Sequence, residues 1–357
     1  MKALVYEAPE TMILREVEAP APRPDEVLIR VAYSGICGSE LSGFLGHNSL
    51  RKPPLVFGHE LSGSIESVGK DVPAAAGLAT GTPVTVNPLL TCGQCEYCVT
   101  GRQQLCPQRQ LLGAHLPGCN ADFVAVPAAS VLALPDGMSL RDAAMAEPAA
   151  CALRAVETSG VGPASSALVI GAGPIGLFIL QILKQYGVVE RFVADLNPAR
   201  LAMATALGAT AVQPGPDGVT AAVLEATGGR GVDVSFDAVG SPQTRRDCLS
   251  STVPGGDLVL VGLHNDETSF PVNSIIRSQV TLSGVFAYST ANFRTALQWL
   301  EAGRIGLREG VVVAPLSDGP QWYARLVGGD GAAKVLLQPG HDGEDADSDS
   351  DKEGIRP

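Results

Sequence analysis

The sequence has 357 residues, of which 45% are hydrophobic, enough for about two domains with large buried cores. The formal net charge of −12 at pH 7 argues against nucleic acid as a partner, because nucleic-acid binding is driven by basic surface. No stretch approaches the ~18 uncharged apolar residues of a membrane span, and the first seven residues do not resemble a signal peptide. We therefore expect no membrane partner and a cytoplasmic location.

Residues 1–150 are predicted to be mostly β structure. Short apolar or alternating runs predict strands over residues 26–31, 55–57, 62–68, 83–86 and 122–126. Turn residues such as Gly69 separate these runs. From residue 138 the composition changes, and an alanine-rich stretch over residues 143–156 predicts a helix.

Four of the eight cysteines lie close together, with the spacing Cys92-x2-Cys95-x2-Cys98-x7-Cys106. Four thiolates at this spacing can close a tetrahedral zinc site that has no open position for water, as structural zinc sites do. An iron–sulfur cluster or four unligated thiols are the alternatives. Because the surrounding lobe, about residues 91–107, has few large apolar residues, we expect a structural zinc to hold it together.

Residues 167–195 carry the strongest functional pattern in the chain. A buried strand is predicted over residues 167–170, a glycine-rich motif and a helix follow, and a second strand over residues 192–194 ends at Asp195. The motif consists of Gly171, Ala172, Gly173, Pro174, Ile175 and Gly176. Its glycines permit a tight turn and the approach of a pyrophosphate, and the helix N-terminus attracts phosphates. The alternative is a glycine-rich turn that binds nothing.

Asp195 lies 19 residues after the last glycine of this motif, where an acid can accept hydrogen bonds from a ribose 2′-hydroxyl. The same charge would repel a 2′-phosphate, so the sequence predicts NAD rather than NADP. A helix over residues 198–207 and strands over residues 232–236, 257–261 and 281–285 complete the pattern of a parallel, doubly wound sheet.

The last part of the chain contains a predicted helix over residues 289–303 and a strand over residues 333–337. Residues 341–357 carry seven acids and two bases and have no apolar periodicity. We expect them to form a disordered, solvated acidic tail, with an acidic interaction tail as the alternative.

Three polar side chains far apart in the sequence are candidate ligands of a second zinc. They are Cys37 in Gly-Ile-Cys-Gly-Ser-Glu, His59 in Gly-His-Glu, and Glu147 in Glu-Pro. A thiolate, an imidazole and a carboxylate together can hold a catalytic zinc that keeps one position open for water or an alcohol. Taken one at a time, each is more often a core residue than a ligand.

These motifs, in this order, resemble the zinc-containing medium-chain alcohol dehydrogenases across roughly residues 1–338. Within that family the chain is most similar to the sorbitol (polyol) and threonine dehydrogenase branch, in which glutamate replaces the second catalytic cysteine. The resemblance implies an α/β protein with a Rossmann doubly wound parallel sheet and a mostly β, GroES-like catalytic domain that carries the structural-zinc lobe. It also implies a homodimer or a homotetramer.

The resemblance divides the chain into a catalytic domain at residues 1–151, an NAD-binding domain at 152–287 and a return to the catalytic domain at 288–340. The acidic tail at residues 341–357 follows. Two zinc ions per chain are implied, one catalytic and one structural, together with NAD.

Roles for single residues follow from the same resemblance. Cys37, His59 and Glu147 would bind the catalytic zinc. Glu60 matches an acid that is itself a ligand in some relatives, with Glu147 then acting through water, and the sequence does not decide between the two. Ser39 matches the hydroxyl that takes the substrate proton.

In the cofactor domain, Asp195 and Arg200 fall where the branch holds the adenosine ribose. The alternative for Arg200 is an exposed helix residue without a ligand. The backbone that lines the nicotinamide in the branch matches five positions here: Val261, Gly262, Leu263, Val285 and Phe286.

The implied reaction is the reversible NAD-linked oxidation of a secondary alcohol, a polyol or modified sugar, to the ketone. Zinc would act as a Lewis acid on the alcohol, and the nicotinamide would accept the hydride. The alternatives are a butanediol-, threonine- or polyol-phosphate-type dehydrogenase and, in another class, a non-catalytic NAD(H)-binding sensor. Two departures concern substrate and proton path: Ser42 replaces a frequent histidine, and Ala287 replaces the arginine of sorbitol-type enzymes.

Overall fold

The structure is a computed structural model that describes residues 1–213 and 218–340. The acidic tail predicted over residues 341–357 lies outside these described residues. Within them, no helix is both long and apolar enough to cross a bilayer.

The first 158 residues build a three-stranded antiparallel sheet, a two-stranded sheet and most of a seven-stranded sheet, together with the helices that cover them. The strands are β1 (Lys2–Ala8), β2 (Thr11–Glu16), β3 (Glu26–Gly35), β4 (Leu55–Val56), β5 (Glu60–Val68), β6 (Pro83–Val86), β7 (Leu89–Leu90), β8 (Gln110–Leu111), β9 (Phe123–Pro127) and β10 (Val131–Ala133). The helices are α1 (Gly38–Phe44), α2 (Glu96–Val99), α3 (Leu140–Ala143) and α4 (Ala146–Thr158). All five strands predicted here are present, whereas the β1–β2 hairpin was not predicted.

Residues 166–284 form a separate, fully parallel sheet. Its strands are β11 (Ser166–Ile170), β12 (Glu190–Ala194), β13 (Thr210–Ala211), β14 (Val232–Asp237), β15 (Thr252–Leu260) and β16 (Thr281–Gly284). The helices between them are α5 (Pro174–Gln185), α6 (Pro198–Ala206), α7 (Gly218–Ala226), α8 (Pro242–Ser251) and α9 (Val272–Ser278). The strand order β13-β12-β11-β14-β15-β16 places the point where the winding reverses between β11 and β14. Dinucleotides bind at the carboxyl ends of the strands at such a point, so the predicted fold class is confirmed.

After the parallel sheet, the chain returns to the seven-stranded sheet. The elements are α10 (Thr290–Glu301), β17 (Val311–Pro315), α11 (Gly319–Val327) and β18 (Lys334–Gln338). Strand β18 pairs antiparallel with β3 and parallel with β17, so the end of the described chain completes the seven-stranded sheet that contains β3.

One continuous core joins the two sheets. Helix α4 crosses position 151, the predicted end of the catalytic domain, and packs against α5 and α10. Leu153 on α4, Phe178 on α5 and Phe293 on α10 are fully buried in this core. The predicted helix over residues 143–156 is divided between α3 and α4.

Helix α8 shows why some elements were missed. Its sequence is almost entirely polar, so it lacks the apolar periodicity that predicts a helix. The one local signal is a capping box. In it the Ser241 hydroxyl oxygen accepts a hydrogen bond from the Thr244 N–H, and the Thr244 hydroxyl oxygen accepts one from the Ser241 N–H.

Candidate active site

Cys37, His59 and Glu60 come together where β3 ends and β5 begins. Gly35 at the end of β3 pairs directly with Glu60 at the start of β5. Cys37 follows two residues after β3 as the N-cap of α1, and His59 immediately precedes β5. One ligand atom from each of the three lies within 4.8 Å of the others. Antiparallel pairing therefore brings two distant sequence motifs to one point.

The imidazole of His59 is held by a buried carboxylate. His59 is 3% exposed, and its Nδ1 lies 2.8 Å from Oε1 of Glu40. The Tyr323 hydroxyl donates to Glu40 Oε2 from the other side. A carboxylate on one ring nitrogen fixes the orientation of the ring and leaves Nε2 for a metal.

The charges around His59 set its protonation in the absence of a metal. Burial opposes protonation, yet Cys37 and the Glu40 carboxylate outweigh burial and raise the pKa of His59 well above its usual range. For Glu40 burial acts upward, but His59, Arg51 and Tyr323 together hold the pKa of the carboxyl below its usual range. The Glu40 carboxylate beside the imidazole favours a cation at this position.

Glu60 offers one free carboxylate oxygen to the same point. Glu60 is fully buried, and its Oε1 has no hydrogen-bond partner. Its Oε2 is in contact with the ammonium group of Lys334, which also donates to the Ile36 carbonyl at 2.9 Å. An orphaned buried carboxylate oxygen beside a thiol and an imidazole is a donor set that fits zinc.

Glu147 lies on the first turn of α4 and is not part of this group of ligand atoms. The Cys151 thiol, one turn further along α4, lies 3.6 Å from Glu147 Oε1. Burial raises the pKa of Glu147. The pKa of Tyr288 is raised mainly by burial and next by the nearby charge of Glu147. The segment that follows β16 therefore approaches the active site at Glu147.

Ser39 lies on the first turn of α1, two residues after Cys37. Its hydroxyl donates to Cys37 Sγ at 3.4 Å and accepts from Arg51 Nη2 at 3.2 Å. Ser42 lies on the same helix and is half-buried. The predicted proton acceptor is therefore next to a predicted zinc ligand.

The four clustered cysteines form a compact set at α2. The Sγ–Sγ distances are 3.9 Å for Cys92–Cys98, 3.5 Å for Cys95–Cys98 and 3.6 Å for Cys106–Cys92. A tetrahedron with Zn–S bonds of ~2.3 Å has edges of about 3.8 Å, so the geometry fits zinc and is far too open for disulfides. Backbone N–H groups of Gln94 and Cys95 lower the pKa of Cys92 to about 6, whereas, against the backbone N–H of Cys98, burial and the neighbouring thiols raise the pKa of Cys95 to about 11.

The glycine-rich turn lies at the carboxyl end of β11 and leads into α5. Gly176 packs so tightly on the Gly171 carbonyl that a side chain there would overlap it. Gly173 is the N-cap of α5, Pro174 occupies the first turn, and no atom lies within 4 Å of a Cβ placed at Gly173. This open space beside the free N–H groups fits a pyrophosphate, which a side chain would exclude.

Asp195 stands at the carboxyl end of β12, beside that turn. Its Oδ2 accepts from the Ala172 N–H at 2.7 Å, and its Oδ1 accepts from the Asn197 N–H at 2.8 Å. Arg200 lies on α6, where its Nη2 donates to the Asp330 carbonyl at 3.0 Å. In this arrangement Arg200 ties α6 to the loop before β18 rather than lying free in solvent.

The five predicted nicotinamide-lining residues follow β15 and β16 at the same edge of the sheet. The Val261 and Gly262 N–H groups both donate to the Asp237 carbonyl, at 3.0 and 2.9 Å, and the Val285 N–H donates to the Leu260 carbonyl at 2.9 Å. Leu263 and Phe286 are exposed. The predicted cofactor residues thus lie along the carboxyl ends of β11, β12, β15 and β16.

Sequence reasoning missed three residues that shape the site: Arg51, Tyr323 and Lys334. Lys334 had a usable signal, since it is a charged residue directly before three apolar ones in a predicted strand, where a lysine is rarely buried without a partner. Arg51 and Tyr323 had none, because their contacts depend on segments that only the fold brings together.

Comparison with known proteins agrees with this geometry. Residues 23–136 match the family model of the alcohol dehydrogenase GroES-like domain, and residues 174–302 match that of the zinc-binding dehydrogenases. The chain is 32% identical to a D-arabitol-phosphate dehydrogenase of Enterococcus avium over 95% of this chain and 97% of that protein. It is 32% identical to the sorbitol dehydrogenase of Bacillus subtilis over 85% of this chain and 86% of that protein.

A solved structure shares the whole fold. An alcohol dehydrogenase of Escherichia coli CFT073 in complex with NADH superposes with a TM-score of 0.86 at 29% identity and covers 95% of this chain and 99% of that one. Sequence and structure therefore agree on one family.

Proposed function

Since the chain belongs to the zinc-binding alcohol dehydrogenase family, we propose that it oxidises a polyol or modified sugar at a secondary alcohol, with NAD as the hydride acceptor. Its activity class is that of a zinc-dependent alcohol dehydrogenase. The substrate class rests on the relatives, whose names include sorbitol and D-arabitol-phosphate dehydrogenases.

The observation that carries the proposal is the convergence of Cys37, His59 and Glu60 beside the hydroxyl of Ser39. We infer that these three residues hold the catalytic zinc and that Glu147 acts through water. Glu60 supports this choice, because one of its carboxylate oxygens lies within 4.8 Å of the other two ligand atoms and its buried Oε1 has no hydrogen-bond partner. When bound, zinc supplies a Lewis acid that lowers the pKa of the alcohol.

The side chains around the metal each have a distinct task in this proposal. Glu40 holds the imidazole of His59 in place, and Lys334 balances the buried charge of Glu60. Ser39 accepts the proton that the alcohol loses, as its position two residues from Cys37 allows. Cys92, Cys95, Cys98 and Cys106 hold the structural zinc.

NAD supplies the nicotinamide that takes the hydride, and the carboxyl ends of the parallel strands offer a site that fits it. Asp195 places a carboxylate beside the glycine-rich turn, and the neighbouring Leu196 and Asn197 carry no positive charge against a 2′-phosphate. The Arg200 side chain is engaged with the Asp330 carbonyl. These contacts favour a free ribose hydroxyl and hence NAD.

The substrate is tested by following NADH absorbance across a panel of alcohols. The panel contains sorbitol, xylitol, arabitol, 2,3-butanediol, threonine and polyol phosphates, with a tertiary alcohol, which cannot give up a hydride from its carbinol carbon, as a negative control. We expect turnover of a polyol or modified sugar and poor use of sorbitol, because Ala287 replaces the arginine of sorbitol-type enzymes. No NADH formation from any alcohol, in protein that binds NAD and two zinc ions, would instead indicate an NAD(H)-binding sensor.

A homodimer or homotetramer is also part of the proposal. Strand β16 lies at the edge of the parallel sheet, and exposed apolar side chains lie near it. These side chains are Leu263, Val272, Ile276 and Phe286. Light scattering of the purified protein measures the oligomeric state directly.

A cytoplasmic location is proposed because none of the eight cysteines, all of which lie in the described residues, forms a disulfide.

A further inference from the structure

A buried arginine holds the proposed proton acceptor from two sides. Arg51 is 4% exposed and lies in the segment between α1 and β4. Its Nη1 donates to the Ser39 carbonyl at 3.1 Å and its Nη2 to the Ser39 hydroxyl at 3.2 Å. Its Nε donates to the Gly113 carbonyl at 3.1 Å. The guanidinium therefore fixes both the backbone and the side chain of one residue.

The surrounding residues form a slot for this side chain. A Cβ at Gly43 would lie 2.5 Å from Arg51 Cδ, so only glycine on this face of α1 leaves room for the stem of Arg51. The guanidinium carbon lies 5.6 Å from the ring centroid of Phe57, which is fully buried. Burying a cation is costly unless it is hydrogen-bonded and compensated, so its presence here requires a reason.

We propose that Arg51 is a positioning residue that holds the Ser39 hydroxyl in the orientation needed for proton transfer, an inference that rests on the proposed function. A hydroxyl has one proton and two lone pairs. Arg51 Nη2 occupies one lone pair, which leaves the second lone pair to accept the proton of the alcohol. The hydroxyl then releases its own proton, which points to Cys37 Sγ in this structure, to a solvent water that takes it away as hydronium. Arginine has donors only, so Arg51 itself takes no proton.

This role suits a chain that has Ser42 where its relatives often have histidine. Ser42 carries no charge with which to orient the Ser39 hydroxyl, whereas the Arg51 guanidinium donates directly to it. A serine side chain rotates freely about one bond. Holding it in a single rotamer therefore keeps the hydroxyl in the orientation that proton transfer needs for a larger share of the time.

The test is a double-mutant cycle on the zinc-loaded enzyme with Arg51→Met, Ser39→Ala and the double variant. Arg51→Met should lower kcat by about 10- to 100-fold, the scale of a small misplacement at a reacting group, with much less effect on KM. In the Ser39→Ala background the same change should cost almost nothing, because no hydroxyl is left to orient. Equal costs in both backgrounds would mean that Arg51 is merely structural.

Controls separate this role from stability and from metal binding. Arg191, on β12 of the parallel sheet, is a matched case. It is buried, and its guanidinium donates to the carbonyls of Val188 and Gly208, which lie in the loops before β12 and β13. Arg191→Met should lower Tm and show no coupling to Ser39→Ala. Zinc content should stay at two per chain in Arg51→Met, and loss of zinc would overturn the proposal. If Arg51→Met fails to fold, Arg51→Lys enters the same cycle, since one ammonium cannot satisfy all three acceptors.

One readout does not depend on turnover. In crystals of Arg51→Met or Arg51→Lys, the Ser39 side chain should occupy more than one rotamer, and an unchanged single rotamer would overturn the proposal. Absence of alcohol oxidation by the unmodified enzyme would overturn the proposed function and, with it, the proton-transfer role of Arg51. An active enzyme with uncoupled variants would sink the role of Arg51 alone.

Discussion

Lys334 and Glu60 lie on strands β18 and β5, on opposite sides of β3, and their charged groups meet across Gly35. Gly35 pairs with Glu60 on one side and with Leu336 on the other. A Cβ at Gly35 would overlap Glu60 Oε2 and lie 2.8 Å from Lys334 Cε, so the absence of a side chain makes the contact possible. Burial acts downward, but the carboxylate of Glu60 and the thiolate of Cys37 outweigh it and raise the pKa of Lys334.

Lys334→Met should destabilise the metal-free protein by about 3–5 kcal/mol, because it leaves the charge of Glu60 buried without compensation. Urea unfolding of metal-free samples measures the change. The double variant Lys334→Met/Glu60→Gln is the control and should recover most of the loss. Added zinc should also recover part of it in the single variant, and an equal loss with and without zinc would contradict a metal ligand role for Glu60.

The contribution of Lys334 to stability has a defined pH dependence. Its pKa is higher in the folded state than in the unfolded state, so the stabilisation is fully present below the unfolded value of ~10.4. It is lost as pH rises above that value through the folded pKa. The unfolding free energy of Lys334→Met should therefore converge with that of the unmodified protein only in strongly alkaline solution.

Asp195→Ala should narrow the preference for NAD over NADP. The carboxylate is expected to bind the ribose hydroxyls and to repel a 2′-phosphate. Because Asp195 also accepts a hydrogen bond from the Ala172 N–H, kcat/KM should fall with both cofactors. The informative quantity is therefore the ratio of kcat/KM with NAD to kcat/KM with NADP. Asp233→Ala is a matched control at the opposite end of the sheet, where Asp233 accepts from the Ser166 N–H. It should leave the ratio unchanged, whereas equal use of both cofactors by the unmodified enzyme would refute the assignment.

The two proposed zinc sites should separate by mutation. Cys98→Ser should remove one zinc per chain and lower Tm, since a structural metal contributes folding free energy. Cys37→Ser should remove the other zinc and abolish turnover while the circular dichroism spectrum stays unchanged. Cys248→Ser, a free and buried cysteine on α8, should change neither metal content nor turnover. Elemental analysis that finds fewer than two zinc ions in the unmodified protein would contradict both assignments.

Ser39→Ala should lower the rate of alcohol oxidation by roughly 10²-fold or more, the low end for a positioned proton-transfer group. Ser42→Ala should have little effect if water carries the proton away. Ser42→His should add an ionisation near ~6.5 to the pH profile of kcat/KM, because histidine titrates there. Normal turnover by Ser39→Ala would show that this serine does not accept the proton.

The sequence by itself determined the features that are local in the chain. The strand–glycine turn–helix–strand–Asp195 unit is one continuous segment, and Gly176 is required by a contact within that segment, its close approach to the Gly171 carbonyl. The cysteines of the zinc lobe lie within 15 residues of one another, so their spacing alone constrains their geometry. Five of the six strands of the parallel sheet were also predicted, because short apolar runs between turn residues mark buried strands; the two-residue edge strand β13 was not.

The tertiary structure decided what depends on pairing between distant strands. The register of β3 with β5 brings Glu60 beside Cys37, and the return of the chain as β18 brings Lys334 to Ile36, 298 positions away in sequence. The slot between Gly43 and Phe57 directs Arg51 onto Ser39. A buried ion pair or an oriented hydroxyl depends on distances of a few ångströms between segments, and local propensity holds no information about such distances, because strand register and core packing set them.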